Sequence, residues 1–178
     1  MSAVSPVDTG NARVQGFAPI ARPGARVLVL GSMPGVASLQ AQQYYGHPRN
    51  AFWPIMAGIF DFDVTAPYAQ RVAALLKHRV AVWDVLAVCE REGSLDADID
   101  PQTIEVNDFA GLIGGMPELR RVCFNGAKAM ELFRRRVSPR LAVVSQLELV
   151  PLPSTSPAHA GMPIAEKQRR WRLALSES

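Results

Sequence analysis

Between Gly31 and Trp53 the chain reads GSMPGVASLQAQQYYGHPRNAFW, which gathers tyrosines, amides, a histidine and an arginine without one carboxylate. Tyr44 and Tyr45, stiffened by Gly46 and Pro48, offer the aromatic face on which a flat base stacks, worth about 1–3 kcal/mol per base. Asn50 stands where this loop runs into a helix. It is either an ordinary N-cap or an amide that holds a water in a pocket. Three further stretches carry similar groups. Asp84 ends the apolar run VAVWD, where an acid is costly unless it is paired or meets a ligand. Asn125 in FNGAKA is a ligand-reading amide or the turn before a helix. Ser154, Thr155 and Ser156 before Pro157 suit a phosphate, and an ST-turn explains them equally well.

Other chemistries find little support. Gly31 to Gly35 lacks the glycine spacing of dinucleotide and P-loop sites, and it is not GxSxG, so Ser32 is a poor nucleophile. Cys89 and Cys123 lie far apart, and the histidines at 47, 78 and 159 form no ligand cluster. No cofactor and no metal are expected. The net charge of +3 is weak evidence for a nucleic-acid partner, and the basic runs at 134–140 and 167–172 read first as solvated helix faces. With no segment approaching the roughly 18–20 apolar residues of a membrane span, a cytoplasmic protein is expected.

These residues must be positioned by regular elements. Of the 178 residues, 1–14 read as a flexible tail and 15–178 as one domain. Strands are predicted at 26–30, 80–85, 121–124 and 141–150. Helices are predicted at 51–60, 67–77, 127–136 and 163–175, with a shorter one after an Asp108 N-cap. Strands separated by helices imply right-handed crossovers, hence a three-layer α/β/α sandwich around a mostly parallel, four-stranded sheet. Ligands of such sheets bind beyond the carboxyl ends of the strands, where the unusual stretches fall.

The order VLVLGSMPG, QQYYGHPRNAFW, VWDVL, VCFNGAKA, LPSTSPAHA resembles the uracil-DNA glycosylase superfamily, and within it the hypoxanthine-DNA (deoxyinosine) glycosylases, from about Phe17 to Trp171. The resemblance implies a monofunctional glycosylase of base excision repair. Such an enzyme flips a deaminated base out of double- or single-stranded DNA and hydrolyses its N-glycosidic bond. Hypoxanthine is favoured, with uracil and xanthine as competitors. Several relatives place a water-activating Asp or Asn where this chain has Met33. The resemblance therefore assigns catalysis to Asn50, with Asp84 second and as the reader of the base edge. Gly31, Ser32, Met33, Pro34 and Gly35 would form the pocket wall, with Gly35 leaving room for a purine where uracil-specific relatives carry an aromatic. Tyr44, Tyr45, Phe52, Trp83 and Asn125 complete the expected base site. Arg49 and Ser154 to Ser156 are expected on phosphates, and Pro157, Ala158 and His159 in the gap of the stack. Two cysteines argue against the iron-sulfur members, and a monomer without membrane contact is expected. The alternative is a non-catalytic nucleic-acid-binding protein that keeps the fold, favoured by Met33 and by the lack of a leaving-group histidine before Pro153.

Overall fold

A computed structural model describes residues 12–176. The strands are β1 (Arg13–Gln15), β2 (Val27–Gly31), β3 (Val80–Asp84), β4 (Leu86–Glu90), β5 (Glu105–Val106), β6 (Arg121–Asn125) and β7 (Glu148–Leu152). The helices are α1 (Val36–Ala41), α2 (Phe52–Phe60), α3 (Tyr68–Lys77), α4 (Phe109–Gly114), α5 (Ala127–Leu132) and α6 (Ile164–Ser176). Strands β3, β2, β6 and β7 form, in that order, a four-stranded sheet whose neighbours are all parallel. Strand β2 is buried at every position, as a strand covered on both faces must be.

The chain steps from β2 to β3 in one direction along the sheet and from β3 to β6 and β7 in the other. Right-handed crossovers then put the intervening helices on opposite faces. Side-chain contacts agree. On one face α2 meets α6 through Phe52 and Trp171, and α2 meets α3 through Trp53 and Tyr68. On the other, Phe109 of α4 packs against Trp83, and Phe133, just past α5, packs against both Phe109 and Phe124. No helix among the described residues is long and apolar enough to cross a membrane.

Four expectations change. Residues 1–11 of the expected tail lie outside the described residues, while residues 13–15 pair antiparallel with β4, so regular structure starts before Phe17. Strand β4 also pairs with β5, giving a second, antiparallel sheet in place of part of the polar loop expected from Cys89 to Pro101. The fourth parallel strand begins at Glu148 rather than at residue 141. Residues 142–146 coil into a 3₁₀ turn first, and pairing starts where Glu148 meets Arg121 in an ion pair. Finally, α1 interrupts the long loop after β2. The helix cap expected at Asp108 is present, its side chain accepting from the Gly111 N–H at 3.0 Å.

The three tryptophans fasten the backbone that borders the carboxyl ends of the sheet. The indole N–H of Trp53 donates to Tyr44 O at 2.8 Å, that of Trp83 to Phe17 O at 2.9 Å, and that of Trp171 to Pro153 O at 3.0 Å. A buried indole needs a partner for its one donor. Here each partner belongs to a segment that leads into the site.

Candidate active site

A cavity of about 750 Å³ opens beyond the carboxyl ends of β2, β3, β6 and β7. Its walls include Gly31 to Gly35, Tyr44, Tyr45, Asn50, Asp84 and Asn125, and Ser154 to His159 close it from the segment after β7. The structure thus brings together most of the residues singled out by type and spacing. Phe52 and Trp83 are exceptions. Phe52 is fully buried behind Tyr45, and Trp83 points its ring at Phe109 while its indole N–H is engaged by Phe17. Both support the site from outside. Arg49 lies exposed beside the cavity and not in its wall.

The two tyrosines divide their work. Tyr44 is 4 % exposed, donates its hydroxyl to Ala18 O at 2.8 Å and sets its ring edge-on to Phe17. That ring is committed to packing, which corrects its assignment as a stacking face. Tyr45 stacks on Phe52 with centroids 4.0 Å apart, so one ring face is backed and the residue lines the cavity. Its φ of 55° lies in the left-handed region that a bulky residue seldom occupies. Flanking bonds hold it there: the Tyr68 hydroxyl accepts from Tyr44 N–H at 3.1 Å, and Ser38 Oγ accepts from Gly46 N–H at 3.0 Å. Local strain of this kind collects at binding sites.

Asn50 is held at the entry to α2 and lines the cavity. Its Oδ1 accepts from the Phe52 N–H at 2.9 Å, an Asx turn just ahead of α2, whose N-cap position is Ala51 and not Asn50 as expected. That bond also fixes the rotamer, and Nδ2, on the cavity side, has no protein partner among the described residues. The amide is therefore held in place and still has capacity for a water.

Asn125 behaves differently from expectation. Its Oδ1 accepts from Thr155 N–H and its Nδ2 donates to Thr155 Oγ1, both at 2.9 Å. An amide tied at both ends is a fastener for the closing loop, which corrects its assignment as a reader of the base. Thr155 is corrected with it: at 1 % exposure and bonded to Asn125, it is no phosphate contact. Its carbonyl accepts from Ala51 N–H at 3.0 Å, so the closing loop is joined to the Asn50 segment as well. Ser154 and Ser156 use their hydroxyl oxygens as acceptors from Ser156 N–H and Ala158 N–H, which leaves both O–H groups to donate outward.

Asp84 is the most perturbed acid of the site. It is 4 % exposed, and its Oδ2 is buried without a hydrogen-bond partner among the described residues. Burial first, then the negative charge of Asp96, pushes its carboxyl up to about 7, against the opposing pull of Arg91. The same burial, with Asp84 as the next cause, raises the hydroxyls of Tyr44 and Tyr45 well above the ordinary phenol range. The Tyr45 hydroxyl is turned inward toward the Asn125 amide and makes no hydrogen bond of normal geometry.

Several site residues escaped the sequence reading. Ser32 Oγ donates to Asp96 Oδ1 at 2.5 Å, and Ser94 Oγ accepts from Val36 N–H at 2.9 Å, so residues 94–97 form one side of the cavity. Arg91, 1 % exposed, holds this segment to the first loop by donating from Nη2 to Pro34 O at 2.5 Å and from Nε to Gly93 O at 3.0 Å. From α5, Lys128 and Glu131 also reach the wall. No local pattern marks Asp96, Ser94 or Arg91 as site residues, because Ser32, Val36 and Pro34, which they meet, lie tens of residues away in sequence.

Comparison with known proteins agrees with the fold. Residues 18–174 match the model of the uracil DNA glycosylase superfamily. Proteins named hypoxanthine DNA glycosylase from Methanosarcina barkeri and Methanosarcina acetivorans are 39 % and 38 % identical to this chain over 118 residues, covering 66 % of it and 73 % of each relative. A solution NMR structure of a Methanosarcina acetivorans protein, provisionally designated a uracil DNA glycosylase, superposes with a TM-score of 0.77 at 30 % identity. That likeness covers 93 % of this chain and 98 % of the other. The parallel sheet, the loops at its carboxyl ends and the extent of the family match lead to one assignment: the chain belongs to the uracil DNA glycosylase superfamily.

Proposed function

We propose that this protein is a monofunctional DNA glycosylase that extrudes a deaminated base, hypoxanthine foremost, into the cavity and hydrolyses its N-glycosidic bond. The observation that carries the reading is the joint placement of a fixed Asn50 amide, a backed Tyr45 ring and the Asp84 carboxyl in one cavity of a superfamily member. The names of the two sequence relatives support hypoxanthine, while the solved Methanosarcina acetivorans structure carries a uracil designation, which keeps uracil as the competitor.

Flipping costs a few kcal/mol of unstacking, least for a base already mispaired. Stacking on Tyr45, backed by Phe52, recovers about 1–3 kcal/mol of it. The Asn50 amide is a weak base, so its task is to hold a water at the anomeric carbon while the sugar develops oxocarbenium character. Ser154 and Ser156 donate to DNA phosphates from the closing loop, Arg49 adds a charge at the edge, and the turn at Pro157–His159 enters the gap left by the flipped nucleotide. We take the enzyme to act in base excision repair, as a monomer in the cytoplasm. Gly35 supports room for a purine: a Cβ there would meet only Ser94 Oγ, at 3.4 Å.

The test is direct. Duplexes carrying inosine, uracil or xanthine, incubated with the protein and then cleaved with alkali at abasic sites, should break most readily at inosine. Retardation of DNA without cleavage at any of the three would favour the non-catalytic alternative. No Schiff-base chemistry is expected. Lys128 does line the cavity, yet its Nζ lies 3.6 Å from Glu131 in an ion pair, and an ammonium is no nucleophile. Borohydride should therefore trap no covalent complex with inosine DNA; a trapped complex lost in Lys128→Ala would make the enzyme bifunctional.

A further inference from the structure

Asn50 accounts for the water but not for the base that leaves. A purine departs with the electron pair of its glycosidic bond, and departure is much easier once a ring nitrogen is protonated. The cavity wall holds a suitable donor. Asp84 sits at the end of β3 with Oδ1 against Gly31 and with Oδ2 buried and unpartnered. Among the described residues no ion pair reaches it: Arg91, the buried cation nearby, bonds through Nε and Nη2 to the Gly93 and Pro34 carbonyls, and its Nη1 is unpartnered. Asp96, fixed by Ser32, lines the same cavity as a second carboxyl. The other titratable or charged groups facing this space are Tyr44 and Tyr45 from the loop before α2, Lys128 and Glu131 from α5, and His47 and His159 from the loops. Burial of Asp84 and the neighbouring negative charge of Asp96 both favour a proton on Asp84, against the opposing pull of Arg91.

We propose that Asp84, in its protonated form, is the proton donor to the departing base, and that Asp96 is the positioning residue that keeps the proton on Asp84 until the bond breaks. The proposal rests on the glycosylase reading above. The C1′–N9 bond breaks with its electron pair passing to the purine, and the Asp84 proton passes to a ring nitrogen of that purine. Water held at Asn50 adds its oxygen to C1′ and gives up one proton to the ionised Asp84, which restores the acid. The sum is neutral free hypoxanthine, a 1′-hydroxyl sugar and Asp84 protonated as at the start.

Single-turnover release from an inosine duplex, measured between pH 5.5 and 8 with enzyme in excess, tests this. A proton donor works only in its protonated fraction, so the wild-type rate should be level in acid and fall about tenfold per pH unit above roughly 7. Asp84→Asn should lose the slope and about 100-fold in rate at pH 6. Asp96→Asn should move the start of the fall roughly one pH unit lower, because the charge that disfavours ionisation is gone. A wild-type rate that rises through pH 7 would make Asp84 a base and overturn the proposal. A fall unmoved in Asp96→Asn would remove the role of Asp96, even if Asp84→Asn failed to fold. Absence of release at every pH would instead defeat the glycosylase reading itself.

Discussion

Asn50→Ala is expected to abolish base release while binding to inosine DNA stays nearly intact. Removing one preorganised polar group from a transition state typically costs about 10²–10³-fold, and loss of the positioned water brings the variant to that range or beyond. The substitution also removes the side-chain acceptor of Phe52 N–H, a net hydrogen bond worth about 1 kcal/mol, so a small drop in thermal stability accompanies it. Asn50→Ser separates the two effects. Serine keeps a side-chain acceptor for such a turn but presents no amide, so this variant should be nearly as stable as wild type and as inactive as the alanine variant. Turnover near the wild-type rate in either one, measured with enzyme in excess, would sink the role of Asn50.

Gly31→Ala should damage both stability and activity. The reason is space and not backbone freedom. Gly31 ends β2 directly beside Asp84 in the sheet register, and a Cβ there would collide with Asp84 Oδ1 and stand 3.3 Å from the Tyr45 hydroxyl. Either the strands part or the carboxyl swings away from the cavity wall. Overpacking of a buried strand costs about 1–3 kcal/mol, readable in urea unfolding. Displacing the carboxyl should lower base release by about 100-fold, the contribution of one positioned acid. Gly35→Ala is the contrast, since its Cβ would make only ordinary contact with Ser94. Wild-type activity in Gly31→Ala would show that Asp84 can leave its position without consequence.

The parallel sheet was legible because β2, β3 and, after Arg121, β6 are short apolar runs ended by Gly, Asp or Asn, a pattern that burial on both faces imposes. Strand β7 was misplaced because the valines at 143 and 144 continue the β-branched run upstream, while the start of the strand depends on Arg121 meeting Glu148 across the sheet. The second sheet was invisible. Strands β1 and β5 are too short to show alternation, and they exist only because β4 offers an edge to each. In the site, Asn50, Asp84 and Tyr45 stood out through residue type beside a strand end or helix start. Asp96 did not: it is one acid of DADID, selected by a bond to Ser32 that no local pattern encodes. Asn125 and Thr155 were found but misread, because each seemed free until the other was placed opposite it.

Thr155 gives the molecule a mechanical property. Its side chain and N–H are clamped by Asn125 at the end of β6, and its carbonyl takes the N–H of Ala51, next to Asn50. The segment expected to grip the DNA backbone and the residue expected to hold the water therefore move as one body, with β6 as their anchor. A phosphate seated out of register on Ser154 or Ser156 would drag Asn50 off line, and one seated correctly would bring it into line. Proofreading of the strand's position would then precede the chemistry, carried by a single buried threonine that touches neither the sugar nor the base.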